Sequence, residues 1–87
     1  MLEPAELADV LDQRARRLAS TLAAFDANAA AEAETGVPRI AVLESEYQRA
    51  VLEAEARWVQ SVIADLRSGK LAWSRQELMA FAENQER

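Results

Sequence analysis

The chain contains no cysteine and no histidine. Without cysteine there is no disulfide, no thiolate nucleophile and no Cys-based metal site, a usage that fits a cytoplasmic protein. Without histidine the commonest general base, the commonest metal ligand and the usual pH switch are all missing. Only two glycines and two prolines interrupt 87 residues, so turn material is scarce. No stretch of 18 apolar residues occurs and no charged-then-apolar leader opens the chain, which predicts neither a membrane span nor a signal peptide. Basic residues are few as well: ten Lys and Arg stand against fifteen Asp and Glu, for a net charge of −5. A small acidic domain repels the phosphate backbone, so these residues are poorly suited to binding nucleic acid.

What remains is 51% hydrophobic and 29% charged, enough apolar material to fold rather than stay disordered. Ala, Leu, Glu and Arg dominate, which predicts long helices and an all-α domain. The length allows one domain at most.

The longest pattern runs from Ile40 to Ser68. Ile40, Leu43, Tyr47, Val51, Ala54, Trp58, Val62 and Leu66 recur every three or four residues. They make one apolar stripe sustained for about seven or eight helical turns. Pro38 precedes the run and Gly69 follows it, matching start and stop signals, so a helix over about 39–68 is expected. Glu46, Arg49, Glu53, Arg57 and Gln60 fall on the face opposite the stripe.

Before it, Pro4 suits the first turn of a helix, with Glu3, Glu6 and Asp9 placed favourably for the helix dipole. Leu7, Leu11, Leu18, Leu22 and Phe25 form a heptad-like seam with a polar interruption at Arg14. Asp12 and Arg16 are spaced as an i,i+4 pair. Large core residues vanish in the Ala-rich stretch after Phe25, which puts the end of this helix near position 31. Thr35-Gly36-Val37-Pro38 is the one clear break, short enough for an antiparallel hairpin. After Gly69, Leu71 and Trp73 are expected to tuck against the hairpin. Ser74 and Glu77 read as a capping box, and Trp73 and Leu78 as a hydrophobic staple. A short third helix over about 75–84 would bury Leu78, Met79 and Phe81.

These elements predict an antiparallel hairpin of two long helices plus a short C-terminal helix. A hairpin leaves much of each stripe in water, and contiguous apolar patches of that kind mark interfaces. The economical covering is a second copy, two hairpins making a helical bundle. Candidate interface residues are Leu11, Leu18, Leu43, Tyr47, Val51, Ala54, Trp58 and Val62.

Little here carries chemistry. Arg14 on the apolar seam is either an anion ligand or, more simply, a side chain that snorkels or pairs with a carboxylate across the interface. Arg14, Arg16 and Arg17 make a small basic cluster that reads as solvated surface. Glu44, Glu46, Glu53 and Glu55 lie on one helix without a neighbour of the kind acid–base chemistry needs, and Glu53 pairs naturally with Arg57. Tyr47 and Trp58 read as core or interface anchors, with a flat hydrophobic ligand as the alternative. No cofactor or metal site is expected.

The stretch from Glu46 to Val59, continuing from Val62 through Leu71, resembles the last long helix of PadR-family transcriptional regulators. The Arg- and Leu-rich helix around Asp12 to Phe25, the loop, and an E-x-x-W-like pattern with an L-R end match the plan of that family's C-terminal region. The resemblance implies a homodimerisation domain. It also implies a candidate contact for a small aromatic effector at Trp58. The family's winged helix-turn-helix has no counterpart in these residues, so DNA would be read only through a domain outside them. The chain would then be either a fragment of a regulator or a separate dimerisation module. Two alternatives stand beside this reading. One is an acidic helical adaptor that binds a different protein. The other is an all-helical enzyme of the chorismate-mutase type, disfavoured because its anion pocket needs several inward Arg and Lys and the only lysine is Lys70.

Overall fold

The computed structural model describes residues 2–73 and 75–85. Three helices run through them: α1 (Pro4–Thr35), α2 (Arg39–Ser68) and α3 (Arg75–Gln85). No strand occurs among the described residues, and the fold is all-α.

Glu3 precedes α1 in an extended conformation and Pro4 occupies the first turn, where its missing N–H has no partner to lose. The Leu7 N–H donates to the Glu3 carbonyl at 2.9 Å. The helix does not stop where its large residues do; it continues through the Ala-rich stretch to Thr35. Alanine has the highest helix propensity, so loss of core residues alone does not end a helix. Gly36 ends it, at φ 73°. The Gly36 N–H donates to the Ala33 carbonyl at 3.4 Å and the Val37 N–H to the Glu32 carbonyl at 3.2 Å, a Schellman arrangement. Pro38, extended, then opens α2, and Gly69 at φ 83° closes it.

α1 and α2 pack as an antiparallel hairpin. Ala15, Leu18, Val59 and Ile63 form the core, with Leu11, Leu52 and Ala56 packed against it. Ala8 and Leu66 are buried beyond it, toward the open end. The α1 seam is as expected: Leu7, Leu11, Leu18, Leu22 and Phe25 are all buried or half-buried. In the half nearer the turn no described residue is fully buried. There the helices leave a groove of about 170 Å³ between Phe25, Ala29, Val42 and Arg49.

α2 turns a different face to α1 than the long stripe suggested. The inward residues are Leu52, Ala56, Val59, Ile63 and Leu66, and only Leu66 belongs to the stripe. The face centred on Tyr47, Val51 and Trp58 lies about 130° round the helix from this contact. Arg49, assigned to the outer polar face, sits half-buried at the edge of the contact instead.

The third helix also departs from expectation. Among the described residues, no Cα of α3 comes within 8 Å of a Cα in α1 or α2. Leu71, Met79 and Phe81 are exposed, whereas Trp73 and Leu78 are half-buried. The Leu71 N–H is bonded to the Asp65 carbonyl at 2.9 Å, holding the linker at the end of α2, where Ala8 and Leu66 already close the hairpin. The capping box falls on Ser74, outside the described residues. The radius of gyration is 19.1 Å, against about 12 Å for a compact domain of this length.

Candidate dimer interface

Periodicity gives α2 two apolar faces. Leu52, Ala56, Val59, Ile63 and Leu66 recur with spacings of four, three, four and three and meet α1. The second face stays in water: Ile40 is 77% exposed, Tyr47 70%, Trp58 63%, Val51 49% and Leu43 42%. Ala54 is exposed between them and Val62 is half-buried at the end. Isolated exposed hydrophobics are ordinary, but five large ones on a single helical face form a continuous patch.

Charge pairs flank the face that α1 covers. Arg49 and Glu55 stand three residues either side of Leu52, so each lies about 60° from it around the helix. Arg14 of α1 meets Glu55 at 2.7 Å on one edge. Asp26 of α1 meets Arg49 at 2.7 Å on the other. The seam is therefore bracketed by complementary pairs on both sides, with Asp9 and Arg67 approaching to 3.9 Å near the open end. Arg14 is thus the partner of a carboxylate across the helix contact.

Two carboxylates respond to this arrangement. The Arg49 guanidinium, hydrogen-bonded to Asp26, holds that carboxyl below its ordinary value. Arg39, hydrogen-bonded to Glu46, does the same there. Both arginines are raised in return, Arg49 by Asp26 first and Glu53 second, and Arg39 by Glu46. Glu53 lies 2.7 Å from Arg49 and 3.8 Å from Arg57, so its closer partner is not the one that spacing suggested. Arg16 pairs with Asp12 at 3.0 Å and Arg17 is exposed.

Of the eight residues assigned to an interface from sequence, Leu43, Tyr47, Val51, Ala54 and Trp58 are exposed together on the outer face of α2, with Val62 at its end. Leu11 and Leu18 are not on that surface. They lie inside the hairpin, where Leu18 is 2% exposed. The sequence reading missed the inner face of α2, although its spacing is as regular as that of the outer one. Among the described residues no group of His, Cys, Asp or Glu is arranged to hold a metal ion. No helix among them is long and apolar enough to cross a membrane. Compared with protein-family models, with curated proteins and with solved structures, the chain matches none.

Proposed function

We propose that this chain is a helical homodimerisation module, of the kind that closes PadR-like transcriptional regulators. Two copies join through the outer face of α2, inside the cytoplasm, and any DNA is read by a winged-helix unit outside these residues. The supporting observation is surface. A compact monomeric protein of this mass exposes about 5,100 Å², whereas the chain exposes 6871 Å². The surplus is more than the roughly 800 Å² that a stable interface removes from each partner. The outer face of α2 supplies its apolar centre, with Tyr47 and Trp58 as the large anchors that dominate such contacts. The link to transcription rests on the sequence resemblance from Glu46 to Leu71.

Sedimentation equilibrium over micromolar concentrations tests the reading. A homodimer that the double variant Val51→Asp/Trp58→Ala converts to a folded monomer supports it. A wild-type chain that stays monomeric, or assembles only with a different protein, overturns it in favour of the adaptor. With Trp73→Phe as background, Trp58 emission should move to shorter wavelength as concentration rises through the dimer transition. The same signal, titrated with flat aromatic compounds, tests Trp58 as an effector contact.

A further inference from the structure

Two groups of uncovered apolar side chains lie at opposite ends of α2. At its start Ile40 and Leu43 face outward beside exposed Val37, and past its end stand Leu71, Met79 and Phe81. They cannot meet within one chain. The bond from the Leu71 N–H to the Asp65 carbonyl ties the linker to the last turns of α2. From Leu71 a fully extended backbone reaches Arg75 in about 14 Å, and α3 adds about 9 Å to reach Phe81. Ile40 lies about 38 Å back along α2 from Asp65. A second copy removes the difficulty, because a two-fold axis across an antiparallel pair of α2 helices sets the start of one beside the end of the other.

We infer that α3 is an exchanged arm: in the homodimer it packs across the Ile40–Leu43 end of the partner's α2, and the two α2 helices run antiparallel. This rests on the dimer reading above and specifies what each copy contributes. Exposure favours it. From Ile40 to Val62 the outer stripe is about 33 Å long, and a pair of α2 helices covers it without covering Leu71, Met79 or Phe81, which lie beyond the end of α2. The exposed Met79 and Phe81, with Leu71, add apolar surface at each end of the pair. Packing favours it too. The turn half of the hairpin has no fully buried residue, so the partner's arm lands where each chain is least well packed by itself. A two-fold centred between Ala50 and Val51 sets Tyr47 opposite Ala54, a large residue against a small one, and Ile40 opposite the small Ser61, which leaves that end of the stripe for the arm.

The absence of native cysteine makes the test direct. Full-length Ile40→Cys and Phe81→Cys variants are prepared separately, mixed, allowed to exchange and mildly oxidised, and their helicity is checked by circular dichroism. The expected result is a disulfide-linked dimer in the mixture and little in either variant alone. Self-crosslinking of Ile40→Cys means parallel helices and overturns the inference, as does an uncrosslinked mixture that sediments as a dimer. Sedimentation as a monomer overturns the dimer reading itself, so the two failures are distinguishable. Leu43→Cys with Met79→Cys serves as a second pair if either first variant loses helicity. Independently, a chain ending at Gly69 should dimerise at least tenfold more weakly, and unchanged dimerisation would refute the exchanged arm.

Discussion

Arg49 of α2 holds Asp26 of α1 through two contacts, Nε to Oδ1 at 2.7 Å and Nη2 to Oδ2 at 3.3 Å. Its remaining nitrogen, Nη1, donates to Glu53 at 2.7 Å. A forked guanidinium shared between two carboxylates constrains geometry better than a single-point contact. It does so in the half of the hairpin where no residue is fully buried. Arg49→Ala is therefore expected to lower the melting temperature more than Arg39→Ala, whose partner Glu46 lies on the same helix. Thermal melts followed by circular dichroism compare the two, and equal effects would mean that Arg49 does not tie the helices together.

Acid should loosen the fold for a related reason. Asp26 and Glu46 sit below their ordinary values of 3.8 and 4.5 because each accepts hydrogen bonds from an arginine. A carboxyl depressed in the folded state contributes stability above its unfolded pKa and loses it as pH falls through the folded value. The melting temperature should be flat from pH 8 to 5, where no histidine titrates, and fall below about pH 4. In Asp26→Asn/Glu46→Gln the acid limb should be shallower; an identical limb would assign the acid sensitivity to other groups.

Core and outer face should respond oppositely to truncation. Leu18 is buried against Val59 and Ile63, so Leu18→Ala should cost about 2–5 kcal/mol in urea unfolding. Ile40→Ser, on the exposed face, should change the stability of the monomer by no more than about 0.5 kcal/mol while weakening dimerisation. Measurements at two protein concentrations separate these effects, because only association depends on concentration. A Leu18→Ala chain as stable as wild type would misplace the core.

Gly36 gives a backbone test. A Cβ built there meets nothing within 4 Å, so the cost of a side chain comes only from the positive φ of 73°. Gly36→Ala should destabilise the hairpin by about 1–2 kcal/mol, and Gly36→Asn by less, since asparagine tolerates the left-handed region. Equal melting temperatures for the three chains would show that Gly36 is not held left-handed.

Much of this was legible in the residues themselves. Pro4, Gly36-Val37-Pro38 and Gly69 mark where helices begin and end because proline fixes φ and lacks a donor while glycine accepts the left-handed turn. The α1 seam from Leu7 to Phe25 was legible because that helix has one apolar face. The short pair of Asp12 with Arg16 was legible because residues four apart on a helix are neighbours whatever the tertiary fold. Arg14 with Glu55 and Asp26 with Arg49 were not, because they join residues 41 and 23 positions apart.

By itself the sequence determined three helices, the breaks between them and an apolar stripe along α2 that one hairpin cannot cover. Tertiary structure alone decided which face of that helix α1 takes. From Leu52 to Leu66 a second register of apolar residues is as regular as the outer one, and periodicity cannot rank the two there. The inner face packs on Ala15 and Leu18, and its edges, Glu55 and Arg49, meet Arg14 and Asp26 across the seam. Ile40, Tyr47 and Trp58 were left outward as the candidate contact for a second copy.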